Sequence, residues 1–272
     1  MKLAAILIPL FFSSLAAQQT QSKSSLRETI QQAVYAEEEE ARGKALSELR
    51  RQGGKDYELL VPELFLYSQR ATTTRDGMAM AYLIEALRIP DTAIVRGLVP
   101  MLETAEPEVL TGIKGVLSQF EHETAHRLPS FSAYRPFLED PIKNGVEPPA
   151  GLMRYLFERH EGAALLFMAQ LHRPPLEELR EILWAEHTIA DTLWKQRYGF
   201  LPRDQVEPQA MEQLDLMSRH PRWWARLYAA KVMGRASFRD SQATARLAQD
   251  RNALVREAIA EATRQRRVKS PR

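Results

Sequence analysis

A His-Glu-x-x-His pattern is the part of this sequence with the clearest potential for chemistry. His122, Glu123 and His126 supply its two imidazoles and its carboxylate. Helix residues four apart lie on one face, so both imidazoles could bind Zn²⁺ while the carboxylate acts as a general base toward a bound water. One hypothesis is therefore a zinc-dependent hydrolase with His122 and His126 as metal ligands and Glu123 as the catalytic base.

This pattern resembles the signature of the zincin metallopeptidases, but its surroundings depart from that family. Arg127 places a charge where those enzymes usually keep an uncharged residue, and Pro129 ends the helix at once. A third ligand would have to come from scattered residues, namely Glu139, Asp140, Glu186, His187 and Asp191. The interpretation we favour is a polar helix end, where imidazoles complement the helix dipole, without metal, cofactor or catalytic residue.

Basic residues are concentrated toward the C-terminal end. From Arg219 onward there are fourteen Lys and Arg against four acids, a net charge of +10, whereas the preceding 218 residues carry 23 against 31, a net −8. A polyanion or an acidic partner could bind this end through Arg222, Arg235, Arg239, Arg266, Arg267 and Lys269. The favoured alternative is that Arg226 and Arg256 pair with loop acids such as Asp250 and that the tail ends a solvated helix.

The first seventeen residues have the pattern of a secretory signal peptide. Lys2 precedes an apolar run over residues 3–15, and the small residues Ala16 and Ala17 precede a polar stretch. The run is shorter than the roughly 20 residues that cross a bilayer, so we expect cleavage after Ala16 or Ala17 and no transmembrane span afterwards. A periplasmic or secreted chain is not expected to bind nucleic acid, and an anionic envelope component would be the first candidate for its basic end.

Composition excludes several other classes of site. The sequence contains no cysteine, so disulfides, thiol nucleophiles and thiolate metal sites are excluded. It also lacks a Gly-x-Ser-x-Gly elbow and a glycine-rich phosphate loop. With 44% hydrophobic residues in 272 positions, the chain can build a sizeable apolar core.

Two segments thirty residues apart indicate a repeated helical unit. Residues 225–234 and 255–262 each place a small or β-branched apolar residue and an arginine near a helix start, followed by small residues. Small residues on one helical face let a neighbouring helix approach closely. We therefore expect Ala229, Ala230 and Ala260 to be buried between stacked helix pairs.

These segments resemble the HEAT repeat family, in particular its PBS-lyase-like branch, whose helix reads approximately Val-Arg-x-x-Ala-Ala-x-Ala-Leu-Gly. The matching residues are Arg226, Ala229, Ala230 and Gly234 in the first segment, and Val255, Arg256, Ala260 and Ala262 in the second. Thr263 and Arg264 replace the Leu-Gly pair, as suits a terminal repeat with a polar outer face. The resemblance implies an α-solenoid, in which Ala41, Ala79 and Val109 would hold equivalent positions.

Periodicity along the remaining chain predicts an all-α fold, because no segment alternates as a strand would. A helical pattern runs from Leu26 to Leu49 and ends at Gly53-Gly54, a second begins at Tyr57, and one long helix is predicted over residues 176–198. Its apolar stripe comprises Leu179, Ile182, Leu183, Ile189 and Leu193. Trp184 and Trp194 lie beside this stripe, where core packing is favoured over an aromatic ligand box.

The predicted organisation has six parts. They are a signal peptide (1–17), a flexible leader (18–25), N-terminal helical repeats (26–128), an irregular proline-rich connection with long helices (129–208), C-terminal HEAT-like repeats (209–265) and a basic tail (266–272). The expected function is protein interaction or scaffolding through the curved inner face of stacked helix pairs, without catalysis. The alternative is the zinc-dependent hydrolase.

Overall fold

The computed structural model describes residues 25–123, 129–235 and 237–269, which are almost entirely helical. The predicted signal peptide lies outside the described residues. The chain divides into two compact units, one ending at Phe120 and the other beginning at Glu121. Within the described ranges, no helix combines the length and the apolar composition needed to cross a membrane. The predicted all-α fold class is confirmed.

Unit 1 contains seven helices among its described residues. They are α1 (25–35), α2 (Glu39–Gln52), α3 (Leu60–Gln69), α4 (Thr74–Gly77), α5 (Ala79–Leu87), α6 (Asp91–Leu98) and α7 (Pro107–Leu117), with 3-10 turns at Lys55–Tyr57, Val99–Glu103 and Ser118–Phe120. Helix α3 packs against both α5 and α6. At one contact, a Cβ on Gly97 would lie 2.7 Å from the Cβ of Val61, so the glycine permits the close approach.

Two predicted boundaries in unit 1 are wrong for local reasons. The helical pattern from Leu26 to Leu49 is broken at residues 36–38, and α2 begins only at Glu39. The helix predicted from Tyr57 begins at Leu60, because Asp56 and Tyr57 have φ values of 55° and 58° in the left-handed region. The predicted stop at Gly53-Gly54 is confirmed, since α2 ends at Gln52 and Gly54 has φ 78°.

Unit 2 contains eight helices among its described residues. They are α8 (Arg135–Lys143), α9 (Ala150–Arg159), α10 (Glu161–His172), α11 (Leu176–Arg197), α12 (Pro208–Arg219), α13 (Trp223–Val232), α14 (Ser241–Ala248) and α15 (Ala253–Lys269). A minimal antiparallel pair, β1 (His122–Glu123) and β2 (Pro129–Ser130), and a 3-10 turn at Ser132–Tyr134 precede them. Helix α13 lies at the centre, with eight of its ten residues buried against α9, α10, α12, α14 and α15.

The long helix α11 confirms the predicted helix, and its predicted stripe is confirmed for Ile182 and Ile189 but wrong for Leu183. Its buried residues are Ile182, Ala185, Thr188, Ile189, Thr192 and Gln196. Leu183 is exposed, as are Trp184 and Trp194, so the core packing predicted for both tryptophans is wrong. Helices α10 and α12 pack against a face of α11 that contains alanine, threonine and glutamine. The apolar pattern of the sequence did not indicate this face.

An arginine-to-carbonyl contact recurs at the start of three helices. Arg42, Arg226 and Arg256 are each the fourth residue of their helix, α2, α13 and α15. Each guanidinium donates to the carbonyl six residues earlier, at N···O distances of 2.7, 2.7 and 2.6 Å. The predicted pairing with Asp250 is confirmed for Arg226, at 2.5 and 3.0 Å. Arg256 instead donates to main-chain carbonyls.

The backbone before α13 and α15 is capped in the same way. The Arg222 N–H donates to His220 Nδ1 at 3.1 Å, and thirty residues later the Asn252 N–H donates to Asp250 Oδ1 at 2.8 Å. The small-residue prediction is confirmed for Ala229 and Ala230, which are fully buried. It is wrong for Ala260, which is exposed, because α15 is the last described helix and no described helix covers this residue.

Candidate interaction groove

A groove of about 1330 Å³ crosses unit 2, and we call it the central groove. Its walls come from α11, α13, α15 and the junction between α9 and α10. Its lining includes both small residues, such as Gly162, Gly234 and Ala262, and charged residues of both signs. The small side chains on the walls keep the groove open, and the charged side chains make its two ends differ in charge.

Helix α11 supplies one long wall of the central groove. Glu186, Ala190, Leu193 and Arg197 line it at helical spacing. This wall lies beside the buried face of α11, so the core contacts of the helix determine which side chains reach the groove. The wall has a carboxylate at one end, a guanidinium at the other and aliphatic side chains between them.

Three exposed aromatic side chains form a platform at the rim of the groove. Trp194, Tyr198 and Phe200 are 51%, 58% and 71% exposed, and we call them the aromatic platform. The Trp194 and Phe200 rings stack at 5.3 Å between centroids with 9° between planes, and Trp194 lies 5.1 Å from the Tyr198 ring. Large aromatic side chains exposed together are typical of interaction surfaces.

The loop after α11 holds the aromatic platform in place. Gly199 adopts φ 80°, which turns the chain back so that the Phe200 N–H donates to Lys195 O at 2.8 Å. The Glu207 carboxylate accepts from Thr192 at 3.0 Å and from Lys195 at 2.9 Å. These contacts fix the loop that carries Tyr198 and Phe200 against the end of α11.

The carboxylate end of the groove is formed by Glu161 and Glu186. Glu161 pairs with Arg235, whereas Glu186 has no hydrogen bond or ion pair with any side chain in the described ranges. Burial raises the pKa of the Glu186 carboxyl, and the Glu161 charge raises this pKa further, against an opposing effect of His187. Gly162 permits this placement, because a Cβ there would lie 2.6 Å from Glu186 Oε1.

The residues of the predicted basic surface do not all lie together in the structure. Arg235 and Arg239 line the central groove, together with Arg197 and Arg203, which the sequence did not single out. Arg222 is instead bound by Glu178 through two contacts of 2.7 and 3.2 Å. The side chains of Arg266, Arg267 and Lys269 lie outside the described residues. The signal that could have indicated the groove was the density of aromatic and basic residues over 194–203.

The His-Glu-x-x-His pattern does not lie on a helix where the structure describes it. His122 and Glu123 form β1, which begins five residues after α7 ends at Leu117, so the prediction of a helix there is wrong, and so is the predicted polar helix end. Just before β1, the buried Glu121 carboxylate accepts from Tyr155 and from Arg159, at 3.2 Å for the latter. His126 lies outside the described residues, and the zinc hypothesis stays a prediction.

The scattered candidates for a third zinc ligand do not come together. Glu139 pairs with Lys143 at 3.2 Å and Asp191 pairs with Lys195 at 2.7 Å, both along their own helices. Within the described part of the chain, no group of three or more histidine or carboxylate residues is arranged to hold a metal ion. Glu186 belongs instead to the central groove.

We expect unit 2 to lose stability as the pH falls below about 6.5. His172 and His220 lie against the Trp224 ring, at 5.5 and 6.3 Å between centroids. Burial lowers the pKa of both imidazoles, with the Arg222 charge contributing for each. For His220 the nearby carboxylates Glu178 and Glu181 oppose this effect. The unfolded imidazoles therefore bind protons at higher pH than the folded ones, and their stabilising contribution is lost on acidification.

The measurement is urea unfolding at about pH 7.5 and about pH 5.5, followed by tryptophan fluorescence. All four tryptophans lie in unit 2, so the signal reports on this unit. His220→Asn keeps an oxygen that can accept from the Arg222 N–H and should reduce the pH dependence by up to about 1.4 kcal/mol per pH unit. An unchanged pH dependence in both His220→Asn and His172→Gln would contradict this expectation.

Comparisons with known proteins give no relative for this chain. No protein-family model, no curated protein and no solved structure matches it.

Proposed function

We propose that this chain is an exported, HEAT-like helical repeat protein whose central groove binds a segment of a partner protein. The repeat assignment is supported by the arginine contacts that recur at Arg42, Arg226 and Arg256 and by the matching caps thirty residues apart. Export is supported by the signal-peptide pattern over residues 1–17. Stacked helix pairs commonly bind partners along such a concave surface.

The size and polarity of the central groove favour a protein partner over a small molecule. Small-molecule sites occupy about 300 to 1,000 Å³ and are mostly apolar. At about 1330 Å³, with charged residues of both signs on its walls, the central groove is larger and more polar than such a site. A polypeptide segment offers the length and the mixture of side chains that this surface matches.

Trp194 is the residue expected to contribute most to partner binding. Trp194 lines the groove and belongs to the aromatic platform, and tryptophan is enriched among the interface residues that contribute about 2 kcal/mol or more to binding. Trp194→Ala should therefore weaken binding of a partner peptide by about 30-fold or more. Because the side chain is half exposed, the same change should leave the urea unfolding midpoint nearly unchanged.

The test is selection of peptides of about fifteen residues from a displayed library on the purified full chain, followed by fluorescence polarisation with the selected peptides. Trp184→Ala is the matched control, since Trp184 is equally exposed on α11 but does not line the groove. Selected peptides that bind the Trp194→Ala variant as well as the original chain, or a selection that enriches no peptide, would refute the proposed function.

A further inference from the structure

One end of the central groove presents an acidic group without a partner. Glu186 is partly buried, and in the part of the chain that the structure describes no side chain pairs with it, whereas its neighbour Glu161 is neutralised by Arg235. A carboxylate in this setting gains a charge-assisted hydrogen bond when a cation enters the groove. This end of the groove is therefore complementary to a lysine or arginine side chain.

The opposite end presents guanidinium groups. Arg197 lines the groove and lies over the Tyr198 ring at 5.7 Å, and Arg203 lines the same end. Both side chains are exposed, and neither forms an ion pair with a carboxylate in the described ranges. Stacking on an aromatic ring orients a guanidinium while leaving its N–H groups free to donate to a carboxylate. This end is complementary to an aspartate or glutamate side chain.

The spacing of the two ends fits a short helix. Glu186 and Arg197 are eleven residues apart on α11, which corresponds to about 16 Å along the helix axis. Ala190 and Leu193 lie between the charged ends and offer apolar contact to the middle of such a segment.

From this geometry we infer that the central groove selects an amphipathic helical segment with a basic side chain at one end and an acidic side chain about three turns away. The basic side chain binds Glu186, the acidic side chain binds Arg197 and Arg203, and apolar side chains pack on the wall between them. This inference rests on the proposed function, and it adds the charge pattern and orientation of the bound segment.

Charge reversal at each end of the groove tests the inference. Peptides selected on the original chain should carry a Lys or Arg and an Asp or Glu about eleven positions apart. Changing the basic residue of such a peptide to Glu should weaken binding about tenfold or more, and Glu186→Lys should restore the affinity for that peptide. The paired change Arg197→Glu with Arg203→Glu should do the same for a peptide whose acidic residue is changed to Lys.

Glu181→Lys is the matched control, because it makes the same charge change on an exposed position of α11 outside the groove. Glu186→Gln, which introduces no new charge, should reduce the preference for a basic residue and serves if Glu186→Lys does not fold. The inference is overturned if the selected peptides require Trp194 but bind the Glu186 and Arg197/Arg203 variants unchanged. In that outcome the proposed function stands. If the selected peptides do not require Trp194, both the inference and the proposed function are refuted.

Discussion

Replacing Arg226 with alanine is expected to lower the free energy of unfolding of unit 2 by about 3 to 5 kcal/mol. The guanidinium is buried and donates to both carboxylate oxygens of Asp250 and to the carbonyls of His220 and Pro221, at 2.7 and 2.9 Å for the carbonyls. Its removal leaves the Asp250 carboxylate buried without its cation and two carbonyls without a donor. Urea unfolding followed by tryptophan fluorescence measures the loss.

The repeat provides a matched control for this substitution. Arg256 occupies the equivalent position in α15 and makes the equivalent carbonyl contacts, but it is exposed and has no carboxylate partner in the described ranges. Arg256→Ala should therefore cost less than about 1 kcal/mol. Arg226→Lys should fall between the two, since it keeps the charge but not the planar fork. Equal losses for Arg226→Ala and Arg256→Ala would contradict the expected role of burial.

Enlarging Ala230 to leucine is expected to destabilise unit 2 by about 1 to 3 kcal/mol. Ala230 is fully buried in α13, the helix that α15 packs against most extensively. The seam between these helices is close, as a Cβ on Gly234 would lie 3.4 Å from the Cβ of Ala262. Additional side-chain volume at Ala230 therefore requires the helices to move apart or the leucine to adopt a strained rotamer. The unfolding midpoint in urea measures the effect.

Ala260→Leu is the control for the seam, because Ala260 holds the equivalent position thirty residues later and is exposed. It lines a small hollow on the outer side of α15 with Ala248, Ile259 and Thr263, and leucine there should change stability by less than about 0.5 kcal/mol. A larger loss at Ala260 than at Ala230 would show that the outer side of α15, and not the seam, limits stability.

These two pairs of substitutions separate the effect of the shared sequence pattern on stability from the effect of the surrounding helices. Arg226 and Arg256, like Ala230 and Ala260, are alike in sequence context and in helix position. They differ in whether another helix covers them, because α15 covers α13 and no described helix covers the outer side of α15. The expected differences in the free energy of unfolding therefore measure the effect of being covered by another helix, because the sequence pattern is the same in each pair.

Much of the secondary structure could be predicted from the sequence because its causes are local. Gly53-Gly54 ends α2 because glycine adopts backbone angles that stop a helix, and in the described residues from Pro129 to Pro149 the prolines leave only the short helix α8 and one 3-10 turn as helical segments. The equivalence of Arg226 and Arg256 could also be predicted, since they lie thirty residues apart in similar segments, and each is the fourth residue of its helix. The predicted pairing of Arg226 with Asp250 is confirmed.

The candidate site could be predicted only in part. Trp194 was noted, but its exposure depends on which face of α11 the neighbouring helices cover, and that face contains Thr188, Thr192 and Gln196. Glu186 was noted as a possible metal ligand, whereas the structure places it at the carboxylate end of the central groove. The residues that line this groove range from 157 to 265, and a local sequence pattern does not show which residues so far apart in the chain come together.

By itself, the sequence determined that the chain is helical and that α2 ends at Gly53-Gly54, because hydrophobic periodicity and glycine act over a few residues. The tertiary structure alone decided that His122 and Glu123 are extended, that Ala230 is covered and Ala260 is not, and that Glu186 and Arg197 face one groove. These outcomes depend on contacts between helices far apart in the chain, whose energies no local pattern specifies.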